Sequence, residues 1–195
     1  WMNLATSTLA ITLTALFFCS AGAALRVWGT AYLGGLVMQD SAFHGERMVE
    51  AGPYRFLRNP LYLGTLLFSL GVSFLMPVTG ALFFLLGIYF LQRLLISAEE
   101  TFLAARLGEP YRDYLGRVPS LIPKFVPQNA ASPARPHWLQ AVVAEIYPVG
   151  FAFCFAVFAW RYNTTILIKC LLVCYGLAMI TRAVSPSGWT QKRLT

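Results

Sequence analysis

Leu61 to Ile96 reads LYLGTLLFSLGVSFLMPVTGALFFLLGIYFLQRLLI, apolar chain in which Arg93 is the one charged residue. Met76-Pro77 divides the run, because proline has no N–H to continue a helix and its ring clashes with the preceding turn. The halves, Leu61–Leu75 and Val78–Ile96, are therefore predicted to form two helices of a tight hairpin. The second half is long enough to cross a bilayer, which takes about 20 residues, while the first is short of that length.

Three further apolar segments flank the hairpin: Leu4–Leu25, Trp138–Trp160 and Thr164–Ala183. The 195 residues are 57% hydrophobic and 12% charged, where a soluble domain carries about 25% charge. No single aqueous core hides that much apolar surface. The expectation is an all-α, polytopic membrane protein with about five transmembrane helices. In Leu4–Leu25, Ala21-Gly22-Ala23 resembles a signal-peptidase site, but no basic region precedes it, so it is read as a retained span.

The net charge of +7 is not arranged as a basic stripe interleaved with aromatics, which argues against nucleic acid. It is arranged by topology instead. Thirteen of the 15 Lys and Arg residues fall on one side: four after the first span (Arg26 to Arg58), six from Arg93, near the inner end of the hairpin's second half, to Arg135, and three at the chain end from Arg182. Only Arg161 and Lys169 lie toward the other side, where long side chains can snorkel. The positive-inside rule then places the N-terminus outside, the C-terminus in the cytoplasm and both long connecting regions in the cytoplasm. Cys19, Cys154, Cys170 and Cys174 all sit in apolar runs without a CxxC pair or a nearby histidine, and read as small hydrophobes rather than metal ligands. His44 and His137 are isolated, and Met38, Met48 and Met76 read as packing. Residues 1–126 are expected to form a core of three spans plus motif regions. Residues 127–137, rich in Pro, Ala and Ser, read as a linker, and 138–195 as two additional helices with a tail.

The densest polar signal opens the hairpin: Gly52-Pro53-Tyr54-Arg55-Phe56-Leu57-Arg58-Asn59-Pro60-Leu61-Tyr62-Leu63-Gly64. Asn59 reads as a helix N-cap and Pro60 as the first helical residue. Capping alone does not call for two arginines and two tyrosines. A helix start with free N–H groups, flanked by Arg55 and Arg58, suits a carboxylate or phosphate. Beyond the second half of the hairpin stands Glu99-Glu100, on a helix expected to run to Leu107 and stop at Gly108. Adjacent helical residues point about 100° apart, so the two acids are expected to face different surroundings. Leu107-Gly108-Glu109-Pro110-Tyr111-Arg112-Asp113-Tyr114 follows, read as a short helix that starts at Pro110, ends near Gly116 and shows Tyr111 and Tyr114 on one face.

Taken in order, Gly-Pro-Tyr-Arg-x-x-Arg-Asn-Pro-x-Tyr-x-Gly, then Glu-Glu-x-x-Leu, then Leu-Gly-x-x-Tyr-x-x-Tyr resembles the isoprenylcysteine carboxyl methyltransferase family, to which the phospholipid N-methyltransferases are related. The resemblance covers roughly Leu25 to Pro123. Many members carry His where Asn59 stands. It implies S-adenosylmethionine as methyl donor, in a cytoplasmic pocket between these helices, and a lipophilic acceptor entering from the membrane. That acceptor would be a prenylcysteine-like carboxylate, or the amine of a phospholipid or small isoprenoid. Tyr54, Arg58, Asn59, Pro60, Tyr62, Gly64, Glu99, Glu100, Tyr111 and Tyr114 would then bind the cofactor, and Arg55, Arg58 and Glu99 would act at the reacting groups. Tyrosine faces suit the sulfonium cation, glutamate suits amino or ribose groups, and arginine suits the carboxylate. Two other classes stand beside this one. An NADPH-dependent membrane reductase of the sterol-reductase type has a similar Arg-His-Pro segment, but lacks the Glu-Glu and tyrosine motifs. A transporter or scaffold is disfavoured because no acid is expected deep in any span.

Overall fold

The computed structural model describes residues 8–33, 49–128, 134–161 and 163–184, and every regular element among them is helical. In order these are α1 (Thr8–Leu33), a 3₁₀ turn (Gly52–Arg55), α2 (Pro60–Ser73), α3 (Val78–Leu107), α4 (Glu109–Arg117), α5 (Trp138–Ala144), α6 (Ile146–Arg161) and α7 (Thr164–Val184). Much of the first predicted cytoplasmic region, including Met38, His44, Arg47 and Met48, lies outside the described residues, as do Lys192 and Arg193.

The architecture is the all-α membrane type, with five apolar helical units: α1, α2, α3, the α5–α6 pair and α7. Of these, α1 and α3 are long and apolar enough to cross a bilayer unaided, and α5–α6 qualifies only as one bent unit. The apolar parts of α2 and α7 are shorter. The helices stand in a row, α3 against α2, α2 against α1, α1 against α6 and α6 against α7. At 30 residues α3 is about 45 Å long, so it carries its last turns beyond a hydrocarbon core of about 30 Å.

The tightest packing is the crossing of α1 and α2. Built onto Gly22, a Cβ would stand 2.5 Å from the Gly64 carbonyl oxygen and 2.6 Å from the Phe68 nitrogen. Onto Gly64 it would stand 2.6 Å from Cγ of Arg26. Ala15 and Cys19 are fully buried on the same face. Small residues of this kind let backbones approach where lipid gives no hydrophobic push between helices. Gly64, expected among the cofactor residues, is here part of the crossing. Gly22→Ala is predicted to separate the helices and cost about 1–3 kcal/mol, read as a lower unfolding temperature in detergent. Gly87→Ala, with nothing within 4 Å, should cost nothing.

The fourth apolar segment is not the single Trp138–Trp160 helix that its composition suggests. It bends by 75° between α5 and α6. Pro148 supplies the reason: in a continuous helix its missing N–H would be owed to Ala144, and its ring would clash there. Restarting the helix at Ile146 puts Pro148 in a first turn, where that N–H has no partner in any case. Glu145, at the break, is 1% exposed. Its carboxylate accepts Arg26 Nε at 2.7 Å, Arg26 Nη2 at 3.1 Å and the Thr30 hydroxyl at 2.8 Å. The same guanidinium donates to Thr65 at 2.7 Å and to the Leu61 carbonyl at 3.4 Å. The acid thus stands at the bend, level with Arg26 and Thr30 in the C-terminal part of α1, and it ties α5–α6 to α1 and α2. All four cysteines are free thiols, with Cys154 and Cys174 at 3.4 Å across α6 and α7.

Candidate active site

The hairpin forms as the sequence predicts, with Pro60 opening α2, and α2 and α3 meeting through the turn at Met76-Pro77. Ahead of α2, Gly52 takes a positive φ of 58°, and a Cβ there would run into the Tyr32 ring. Gly108 ends α3 with φ 67°, and α4 begins at once. It continues to Arg117, one residue past the expected stop. Tyr111 and Tyr114 fall on its inner face with rings 5.9 Å apart, buried with Val118 against Leu103, Ala104, Leu107 and Leu115. The Tyr114 hydroxyl donates to the Tyr54 carbonyl at 2.9 Å, so α4 is fastened to the 3₁₀ turn.

After α4 the chain returns as a strap along residues 55–59. The Arg58 N–H donates to Pro119 O at 2.8 Å, Asn59 N–H to Ser120 O at 3.1 Å, Lys124 N–H to Phe56 O at 3.1 Å and Gln128 N–H to Arg55 O at 2.9 Å. Both predicted motif regions thus form one unit above the start of α2.

Inside it, the two neighbouring glutamates take different partners, as their angular separation requires. Glu100 accepts Arg58 Nε at 3.0 Å and Nη2 at 3.3 Å, and the Asn59 Nδ2 at 2.9 Å. Arg58 Nη1 donates to the carbonyls of Leu115 and Val118, each at 2.6 Å, which closes the C-terminal end of α4 where orphan carbonyls and the negative dipole end favour a cation. Four of the five guanidinium N–H bonds are thereby committed within the protein. Arg58 thus braces α3, α4 and the strap, with one guanidinium N–H outside these bonds. Asn59 departs from expectation. It stands at the N-cap position but makes no side-chain cap bond; its amide reaches Glu100 and, at 3.0 Å, the Ser120 hydroxyl.

Glu99 faces differently. Its carboxylate accepts the Tyr62 hydroxyl at 2.9 Å, and among the described residues no cation bonds to it. It lies past the apolar Val78–Ile96 stretch, and burial raises its carboxyl above the usual carboxylate range, against the lowering effect of the Tyr62 bond. The Tyr54 hydroxyl is buried and without a hydrogen-bond partner. Its phenol is raised well above the usual range by burial, then by Tyr114, Glu99 and Glu145, with Arg26 opposing. Burial likewise lifts the Tyr111 phenol to about 12, helped by Glu100 and Glu99. The tyrosines therefore stay neutral at physiological pH.

Arg55 ends the 3₁₀ turn and Pro60 is buried at the head of α2. What sequence reasoning missed is the role of the strap, whose Pro119, Ser120, Lys124 and Gln128 contribute mainly through backbone groups that no side-chain motif announces. It missed Glu145 as well, a single acid inside an apolar run that pairs with an arginine over a hundred residues away.

Asn59 makes a test of this geometry. Asn59→His keeps an N–H donor that can reach Glu100, whereas Asn59→Asp sets a carboxylate against Glu100. The histidine variant is predicted to unfold within about 1 kcal/mol of the parent, and the aspartate variant to lose about 2–3 kcal/mol, as scored by thermal unfolding at pH 7.5.

A sequence profile of the phospholipid methyltransferase family matches residues 2–109, more than half of the chain. The chain belongs to the phospholipid methyltransferase family. It is also 38% identical over 79 residues to the protein-S-isoprenylcysteine O-methyltransferase of Schizosaccharomyces pombe, a match covering 39% of this chain and 33% of that enzyme. No solved structure matches. The family match takes in α1, α2 and α3 with Tyr54, Tyr62, Glu99 and Glu100, and ends where α4 begins. Integral membrane helices of this family thus frame the polar unit, while α5, α6 and α7 lie beyond the matched part.

Proposed function

We propose that the chain is an S-adenosylmethionine-dependent membrane methyltransferase whose cofactor pocket is lined by Tyr54, Tyr62, Glu99, Tyr111 and Tyr114. The observation that carries this reading is the half-buried Glu99 carboxylate, answered among the described residues only by the neutral Tyr62 phenol, together with the orphaned Tyr54 hydroxyl, which lies within the influence of the Glu99 charge. A carboxylate so placed leaves a cation to be supplied, and an orphan phenol leaves a hydrogen bond to be made. The cofactor brings both, a sulfonium and an ammonium for Glu99 and the tyrosine faces, and ribose or adenine groups for Tyr54. Bound there, it would supply an electrophilic methyl group.

The protein's part is alignment rather than acid–base chemistry, since displacement at a methyl carbon needs the acceptor held in line. The Arg58–Glu100–Asn59 brace would hold Glu99 in place by fixing the α3 end against the strap. Methyl transfer in the yeast relative is, by its name, to the oxygen of an isoprenylcysteine. For this chain we propose a lipophilic acceptor entering laterally from the bilayer, either the amine of a phospholipid or isoprenoid-like molecule or a prenylcysteine-like carboxylate. A bacterial inner membrane, with the pocket at its cytoplasmic face, fits the clustering of basic residues.

Titrating purified protein with S-adenosylmethionine and with NADPH tests the reading. Saturable binding of the first and none of the second is expected. NADPH binding would instead favour a reductase, and binding of neither would remove the enzyme assignment.

A further inference from the structure

Two segments beside the site carry bulky apolar side chains turned away from the protein. In the strap, Ile122 is 82% exposed, Phe125 97% and Val126 68%. On α5, Trp138 and Leu139 are 51% and 81% exposed, and Val142 and Val143 are exposed beside them. Neither segment is a loose end. Lys124 and Gln128 donate backbone bonds to Phe56 and Arg55, and His137 donates its backbone N–H to Ala31 O at 2.8 Å. The chain therefore holds these side chains outward, where water alone would penalise them.

Their level in the fold says what covers them. Phe56 lies four residues before Pro60 starts α2, and Ala31 lies two residues before α1 ends, so both anchor points stand at the same end of the apolar helices. The 75° bend at Glu145 turns α5 far from the axis of α6, as a helix lying along a bilayer surface must turn from one that crosses it. Opposite its exposed residues, α5 presents buried Ala141 to the protein. Between Val118 and Gln128, and between Ala134 and Ala144, there is no acid, while Lys124 and Arg135 supply positive charge. The Lys124 ammonium is held by the Arg117 carbonyl and the Gln128 carboxamide, partners that leave its charge uncompensated. Apolar side chains with tryptophan and basic residues at one level are the composition of an element lying in the headgroup region of an anionic leaflet.

We infer that the Leu121–Val126 turn of the strap and the outer face of α5 form one apolar apron that dips into the bilayer interface beside the site. Its partner is the lipid surface itself. Because the strap also holds Arg58, Asn59 and Phe56, the apron fixes the polar unit at a set height against the membrane from which a lipophilic molecule would arrive.

Nitroxide labels at Phe125→Cys and Leu139→Cys, in a variant with its four native cysteines replaced by alanine, test this in phosphatidylcholine–phosphatidylglycerol nanodiscs. Asp113→Cys, on the exposed side of α4, is the aqueous control. Electron paramagnetic resonance is expected to give collision ratios of oxygen to a water-soluble nickel chelate several-fold higher at 125 and 139 than at 113. Equal, water-like ratios at all three sites would overturn the inference. Shielding of 125 and 139 from both reagents would also overturn it, and would point to a protein partner or second copy on that face. Because the labelled side chains are exposed, an unchanged unfolding temperature and elution volume of the labelled protein identify the folded state in which the ratios are read.

Discussion

Glu145→Ala is expected to be the most damaging single substitution in the described chain, costing about 2–4 kcal/mol, because it removes the buried acid that the part-buried Arg26 guanidinium is arranged around. Arg26 would keep Thr65 and the Leu61 carbonyl but lose two charge-assisted bonds, and Thr30 would lose its acceptor. The pair links α5–α6 to both helices of the tightest crossing, so the loss should appear as a lower unfolding temperature and as faster proteolysis near the α5–α6 break. A charge-free replacement separates the cost of the unpaired charge from the worth of the pair. Arg26→Met with Glu145→Leu should recover much of the stability lost by either single change, since buried ion pairs are often no better than apolar side chains of similar size. If Glu145→Ala unfolds like the parent, the pair is not a structural tie.

Arg58→Lys is the second large effect. Lysine keeps the charge but not the planar fork, and no ammonium can serve Glu100 bidentately and also reach the carbonyls of Leu115 and Val118. We expect a loss of about 2–4 kcal/mol, from the weakened Glu100 contact and the unsatisfied carbonyls at the end of α4. Cofactor affinity should fall with it, because the brace holds the neighbouring Glu99. The measurement is thermal unfolding in the same detergent with and without S-adenosylmethionine. A variant that melts normally yet binds poorly would return Arg58 to the direct cofactor contact that its motif suggests, and would remove its role as a brace.

These two arginines show where the sequence was legible and where it was not. Apolar run lengths and Met76-Pro77 were enough to predict α2, α3 and the hairpin between them, since both are local consequences of backbone chemistry. Gly108 and the Tyr111–Tyr114 spacing likewise marked the end of α3 and the inner face of α4. The single helix read over Trp138–Trp160 failed because averaging along an apolar run hides Pro148 and Glu145, although the first breaks the hydrogen-bond ladder and the second needs a partner. Arg26 read as a topological charge and Arg58 as an anion ligand for one reason: a guanidinium's five donors can be used up by carbonyls and acids that are distant in sequence. Which donors remain for a ligand is a tertiary question. Asn59 followed the same rule, its amide going to Glu100 and Ser120 rather than to its own helix.

The most direct measurement is the affinity for S-adenosylmethionine of the parent, Glu99→Gln and Glu100→Gln, by calorimetry in one lipid nanodisc preparation, with unfolding temperature recorded for each. Glu99→Gln is expected to keep its stability and lose about 10- to 100-fold in affinity, the worth of one charge-assisted contact of about 1.5–3 kcal/mol. Glu100→Gln should instead lower the unfolding temperature, since its carboxylate serves Arg58 and Asn59 inside the fold. Unchanged affinity in Glu99→Gln would contradict the assignment of this pocket to the cofactor.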